Sequence, residues 1–244
     1  MKGVVLAGGL GTRLDPLTQY DNKHFLPIYK KRMIEYPILS LVNAGVKDII
    51  LITGGRYPGR FLELFKNGRD HGIDHLYYAY QEGEGGIAAA LKLARNFVQT
   101  DESIMVILGD NYFDTNLNPH LQDYLVRGGA GAQILLSEVP DPGRFGVAEV
   151  DPITKNVISL EEKPTDPKSN LAITGCYFFD FRIWEILKTL QPSCRNELEV
   201  IDAIKHYWKL NNLIYSKYEG KWKDMGTFST LLEVSCIEAK KDEP

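Results

Sequence analysis

The stretch GVVLAGGLGTRL, residues 3 to 14, opens as an apolar run and turns at once into a glycine-rich loop carrying Thr12 and Arg13. A short run of Val, Leu and Ala without polar alternation is the pattern of a strand buried on both faces, as in a parallel sheet. Ligands of open α/β sheets bind beyond the carboxyl ends of the strands, and the loop after the first strand is the commonest place for phosphate. Glycines at 8, 9 and 11 let the backbone approach a ligand and take positive φ, so that successive N–H groups converge on an anion. Arg13 and, further on, Lys23 add positive charge. Two familiar phosphate loops are excluded: Leu14 stands where the dinucleotide fingerprint needs its third glycine, and the G-K-[ST] of the nucleoside-triphosphatase loop is absent.

Working outward, DIILIT (48–53) and IMVIL (104–108) repeat the buried-strand pattern, and helical patterns lie between these runs at 33–44, 59–65 and 87–98. Pro37 predicts a kink or a late start in the first helix. Strands alternating with helices predict a doubly wound α/β sheet with right-handed crossovers. After Asp110 the pattern shifts to strands at 132–139, 146–151, 157–161 and 171–180, separated by PDPGRFG, DPITKN and KPTDPKSN, which reads as hairpins and mixed sheet. Helices at 197–210 and 227–240 follow, with a short strand at 213–217 between them. We read a single domain over 1–244, with a nucleotide-type half to about residue 130 and a second half, from about 131, that closes over it.

With 244 residues, 44% hydrophobic and 25% charged, the composition is that of an ordinary globular domain. A net charge of −4 with dispersed basic residues argues against nucleic-acid binding. No apolar run approaches bilayer length, and the segment after Met1 is too short for a signal-peptide core. Cys176, Cys194 and Cys236 lie far apart without metal-type pairing, so a reducing, cytoplasmic setting is expected. His71, His75, His120 and His206 show no metal-like spacing. Ser193 and Cys194 beside Arg195 lack a dedicated base.

GGLGTRL followed by NKHFLPIYKKRMIEYPI resembles the start of the sugar-1-phosphate nucleotidylyltransferases, and LGDN, EEKP, ITG, RNELE and KDMGT continue the match in order along essentially the whole chain. The resemblance implies a Rossmann-like three-layer α/β/α fold with a mixed, mainly parallel sheet and a smaller β-rich sugar-binding part. It also implies a Mg²⁺ cofactor and thymidylyl transfer from dTTP to glucose 1-phosphate with release of pyrophosphate. Small-molecule substrates are thus the expected partners, with neither nucleic acid nor membrane, in a homo-oligomer that is by family habit a tetramer. Longer members carry a helical C-terminal extension that helps form a regulatory nucleotide site; this chain stops at KKDEP, which leaves such feedback open.

Charge neutralisation at the α-phosphorus is the main task of such a reaction. Arg13 is placed by the triphosphate, and the resemblance gives Lys23 to the nucleotide phosphates, alongside the loop residues Gly8, Gly9, Gly11 and Thr12. Asp110 ends IMVILGD at the ligand-facing edge of the sheet, and carboxylates suit Mg²⁺. By resemblance the metal sits on Asp110 and Asp224, the latter otherwise an N-cap of the last helix. Glu161 and Lys163 are two apart and so share one side of a strand, fit to meet sugar hydroxyls and a sugar phosphate. The resemblance assigns Lys163 to the sugar 1-phosphate, Glu161 and Asn111 to the hexose, Gly146 and Ile173 to its pocket, and Arg195 to phosphate. Phe145 stands where the family more often has tyrosine, which removes a hydroxyl contact. Gln81 offers a donor and an acceptor to a pyrimidine edge, and Gly86 lets the base approach. His24 occupies a position where many relatives carry glutamine; a nucleotide contact and a packing role both fit it. Rivals are a uridylyl- or cytidylyltransferase, a catalytically silent sugar-nucleotide sensor, and a Rossmann dehydrogenase.

Overall fold

In the computed structural model, residues 1–242 are described. Thirteen strands run in chain order: β1 (Lys2–Ala7), β2 (Pro27–Ile28), β3 (Lys31–Arg32), β4 (Asp48–Gly54), β5 (His75–Gln81), β6 (Ile104–Leu108), β7 (Asn111–Phe113), β8 (Ala132–Glu138), β9 (Gly146–Val150), β10 (Val157–Glu162), β11 (Leu171–Phe179), β12 (Leu213–Lys217) and β13 (Trp222–Asp224). The helices are α1 (Glu35–Ala44), α2 (Gly59–Phe65), α3 (Ile87–Lys92), α4 (Asn118–Val126), α5 (Ile183–Thr189), α6 (Val200–Lys209) and α7 (Phe228–Lys240).

Nine strands form one mixed sheet in the order β10-β9-β11-β6-β1-β4-β5, with β8 and then β12 branching from β11. Strands β6, β1, β4 and β5 are parallel neighbours, and β11 enters antiparallel beside β6. The hairpin strands of the second half therefore extend the same sheet as those of the first. β1 is buried throughout, and its alternating side chains feed two separate cores. Val4 and Leu6 join Ile50, Ile52 and Val106 beneath α3, α5 and α6, whereas Val5 and Ala7 join Leu51 and Ile107 beneath α1, α2 and α4. That division gives the α/β/α layering.

Local details follow the expected chemistry. α1 starts late, so Pro37 falls in its first turn, where a backbone N–H has no intrahelical acceptor to lose. The pattern read as one helix over 87–98 is α3 followed by a 3₁₀ segment, Leu93–Phe97, a common tightening of a helix end. α7 is capped by Thr227, whose side chain accepts from Thr230 N while Thr230 bonds back to the Thr227 backbone. Asp224 is thus not the helix cap and sits instead at the end of β13. A third core, with Leu14, Tyr112, Met225 and Val234, fixes α7 beside the glycine loop.

Ile107 is fully buried in the central strand β6. Ile107→Ala is expected to lower the free energy of unfolding by about 2–5 kcal/mol, read from urea denaturation.

Candidate active site

Register brings the loops to one edge. Leu6 of β1 stands beside Ile52 of β4 and Leu108 of β6, so Gly8, Gly109 and Asp110 leave the sheet together, on the same edge as Gln81 at the end of β5, two strands beyond β1. The glycines there are packed around their own neighbours. Buried Gln81 places Oε1 where a side chain on Gly8 would stand. Gly11 has φ +76°, and a Cβ on it would lie 2.7 Å from Cβ and 2.9 Å from Cδ of Lys23. A Cβ on Gly9 would come within 3.3 Å of Lys23 Nζ, so the ammonium lies directly under the loop backbone.

Lys23 Nζ donates to Asp110 Oδ2 at 2.6 Å, with side chains only 10% and 14% exposed. Asn111 Nδ2 donates to the other oxygen at 3.1 Å. Burial by itself would raise the Asp110 pKa, but the charge and hydrogen bond of Lys23 outweigh it and hold this carboxyl well below the usual range. Asp224 reaches the same place through the pairing of β13 with β7, which sets it opposite Asn111, while Met225 N donates to Asp110 O at 2.8 Å. Its Oδ1 accepts from Gly226 N at 2.7 Å and stands 3.9 Å from Arg13 Nη2. Burial first, and the Asp110 charge second, push the Asp224 pKa up against the opposing pull of Lys23 and Arg13. Asp224 therefore senses the charge of Asp110.

Two cavities meet here. Gly8, Gly9, Arg13, Lys23, His24, Gln81, Gly86 and Asp110 line the first; Asn111, Phe145, Gly146, Glu162, Lys163 and Ile173 line the second. Asp224, Ile87 and Leu108 border both. In the second cavity, Asn111 Oδ1 accepts from Trp222 Nε1 at 2.6 Å and from Gly175 N at 3.0 Å. The Phe145 ring packs edge-on against Trp222, with centroids 4.9 Å apart. Lys163 follows β10 with φ +43°, a conformation that costs a non-glycine residue about 1–2 kcal/mol, and its N–H donates to Phe145 O at 3.0 Å.

His24 is fixed by Asn22. Asn22 Nδ2 donates to the carbonyls of Gly54 and Arg56, so its Oδ1 is the acceptor and His24 Nδ1, 2.8 Å away, carries the proton. Burial, then the Lys23 charge, lower the His24 pKa to about 3. The ring is neutral and offers an Nε2 lone pair on the wall of the first cavity.

A nucleotidyl transferase family model matches residues 2–241. A glucose-1-phosphate thymidylyltransferase of Neisseria gonorrhoeae is 40% identical over 97% of this chain and 82% of its own length. A low-salt glycan biosynthesis nucleotidyltransferase of Haloferax volcanii is 37% identical over 97% of this chain and 66% of its own. Among solved structures, a Bacillus anthracis protein named as a glucose-1-phosphate thymidylyltransferase, in complex with sucrose, superposes with a TM-score of 0.92 at 38% identity, covering 100% of this chain and 96% of that one. A UDP-glucose pyrophosphorylase complexed with UDP-glucose gives 0.86 at 26%, with 98% of each chain covered. The chain belongs to the nucleotidyl transferase family.

Within that family fold, three expected contacts need correction. Glu161 does not line the sugar-side cavity: it pairs with Lys168 at 3.5 Å, and its neighbour Glu162 lines the cavity instead. Lys163 leaves the strand with positive φ, so the two-residue alternation linking it to Glu161 does not hold. Thr12 lines a separate cleft with Asp15, Thr18 and Asn22. Arg195 borders neither cavity; its Nη2 is held by Glu199 at 2.9 Å and Glu162 at 3.1 Å, with Glu197 at 3.9 Å. Glu162, Glu199 and Trp222 are the residues that the motif reading missed. For Glu162 the deciding signal is the β9–β10 register, which sets it opposite Gly146. Burial raises the Glu162 pKa, Glu199 adding to it and Lys163 and Arg195 opposing it.

Gly11→Ala, forced into positive φ against Lys23, is expected to destabilise the protein by about 1–2 kcal/mol. Gly59→Ala in α2, where nothing lies within 4 Å of the added methyl, should be neutral or slightly stabilising in the same denaturation assay.

Proposed function

We propose that this chain transfers a thymidylyl group from dTTP to glucose 1-phosphate, giving dTDP-glucose and pyrophosphate. The observation that carries this reading is the meeting of the two cavities at Asp224, with Lys23, Arg13 and Asp110 on one side and Lys163 on the other. The similarity to thymidylyltransferases over nearly the whole chain supports the choice of substrates. One P–O bond forms between a phosphate oxygen of the sugar phosphate and the α-phosphorus, and the bond from that phosphorus to the bridging oxygen of the leaving pyrophosphate breaks. Nothing passes to the enzyme, and no nucleophile is needed: Ser193 Oγ is bonded to Glu199 and Cys194 lies exposed.

Each side chain then has a charge to meet. Arg13 and Lys23 neutralise the triphosphate and the leaving pyrophosphate from the loop side. Lys163 holds the incoming sugar phosphate, and Glu162 accepts from the sugar hydroxyls. Gln81 takes the pyrimidine edge, over the space left by Gly8. His24 offers the nucleoside an acceptor and no donor.

Mg²⁺ fits the donor set at Asp110 and Asp224. Two neighbouring carboxylates, one of them pushed up by burial and then by the other's charge, form an acidic pair suited to an ion that takes one or two carboxylates and completes its shell with water and phosphate oxygens. Among the described residues no group of three or more His, Cys, Asp or Glu side chains could hold a metal, so the proposed site has two protein carboxylates and no third such ligand. When bound, the ion supplies neutralisation of phosphate charge. We place the enzyme in the cytoplasm as a homo-oligomer, a tetramer by family resemblance. The free cysteines agree with a reducing compartment, and no helix among the described residues is long and apolar enough to cross a membrane.

Incubation with each nucleoside triphosphate, a panel of hexose 1-phosphates and Mg²⁺ should release pyrophosphate fastest with dTTP and glucose 1-phosphate, and EDTA should stop it. A preference for UTP or CTP would move the enzyme to the uridylyl- or cytidylyltransferases, and silence with every pair would leave a sensor. Arg13→Ala should lower kcat roughly ten- to hundredfold, the worth of a charge-assisted hydrogen bond of about 1.5–3 kcal/mol. Its half-exposed side chain predicts little change in Tm.

Glu162→Gln should raise the KM for glucose 1-phosphate about tenfold, whereas Glu161→Gln stays within about twofold of the parent. Equal effects would return Glu161 to the site.

A further inference from the structure

Lys23 is committed twice. Its ammonium is placed to meet the triphosphate under Gly9, yet it is bonded to Asp110 Oδ2, the carboxylate read above as a metal ligand. The other Asp110 oxygen is taken by Asn111. A divalent cation approaching this state meets a positive charge seated on its own ligand, in a site where both partners are largely withdrawn from water.

We propose that Lys23 is a tethered stand-in for the metal, holding Asp110 until a triphosphate draws the ammonium to the glycine loop, so that the cation binds with the nucleotide and not before it. The inference rests on the reading of Asp110 as a metal ligand.

Three features support the exchange. The stem of Lys23 is packed against Gly11 at Cβ and Cδ, so the side chain keeps its course and the exchange asks only the terminal ammonium to change partner. The distance to be covered is short, because the ammonium already lies beneath Gly9 at the phosphate loop. The balance of charge favours the change. A triphosphate offers several negative charges where Asp110 offers one, and the carboxylate released is then paired again by the divalent ion. Among the described residues the other basic groups nearby are engaged elsewhere: His24 Nδ1 is bonded to Asn22 and Arg13 lies by Asp224. Asp224 alone, with Oδ1 accepting from Gly226 N and standing beside Arg13, is a poor cation site until Asp110 is free.

The test is Mn²⁺ binding to the nucleotide-free protein, followed by electron paramagnetic resonance. Lys23→Met, which keeps the stem and removes the charge, is expected to bind Mn²⁺ about tenfold or more tightly than the parent. Lys23→Arg should bind no tighter than the parent, and Asp110→Asn in the Lys23→Met background should abolish the gain. Equal Mn²⁺ affinity in the parent and Lys23→Met, or a gain that survives Asp110→Asn, overturns the proposal. Crystals of the unaltered protein give a check that needs no variant. Soaked in MnCl₂ alone, they should show no anomalous peak beside Asp110; soaked with dTTP and MnCl₂, they should show one, with Lys23 moved onto the phosphates. A peak beside Asp110 in the MnCl₂ soak overturns the proposal equally. Gain of Mn²⁺ binding in a protein that releases no pyrophosphate from any substrate pair would overturn the reaction assigned above and leave the exchange standing.

Discussion

The parallel seating of β1 between β4 and β6 is the constraint on which the rest depends. With Leu6 level with Ile52 and Leu108, the chain leaves the sheet at one edge on adjacent strands, so the glycine loop and Asp110 emerge side by side. Burial on both faces fixes that register. A slip by one residue would send Val4 and Leu6 to the layer that receives Val5 and Ala7, exchanging side chains of different volume between two packed cores. The site is therefore positioned by the core, and its loops need supply only chemistry.

That chemistry follows one pattern on both sides of Asp224. Each cavity holds a carboxylate that would be costly to bury alone, and each carboxylate is covered by a basic side chain: Asp110 by Lys23, Glu162 and Glu199 by Arg195. These pairs keep an acidic, partly buried site folded. The two differ in placement: Lys23 lines its cavity beneath the glycine loop, whereas Arg195 supports its carboxylates from outside either cavity.

Much of this was legible in the sequence, for physical reasons that can be named. Strands such as IMVIL and the loop GGLGTRL are local signals: buried runs and glycines report their environment without any partner. Gly11, Lys23 and Asp110 could each be flagged in this way, although the packing of Gly11 on Lys23 could not. Placements that depend on pairing at a distance carry no such local signal. β7 and β13 are three residues each, too short to carry a pattern, yet their contact sets Asp224 beside Asp110. The choice of Glu161 over Glu162 failed on parity, since adjacent glutamates on one strand are told apart only by the register with β9. The aromatic strand HLYYAYQ lacks the Val and Ile that marked the others, and helices α4 and α5 lie outside the periodic runs set out above.

The amide of Asn111 has a stereochemical consequence for anything seated in the second cavity. Its oxygen already receives two N–H groups, from an indole and from a peptide, and one of its amino hydrogens goes to Asp110. Only a single hydrogen is left to point at a guest. Whatever takes that hydrogen must lend a lone pair, so this one amide accepts no further donor and admits only an acceptor at its side of the cavity.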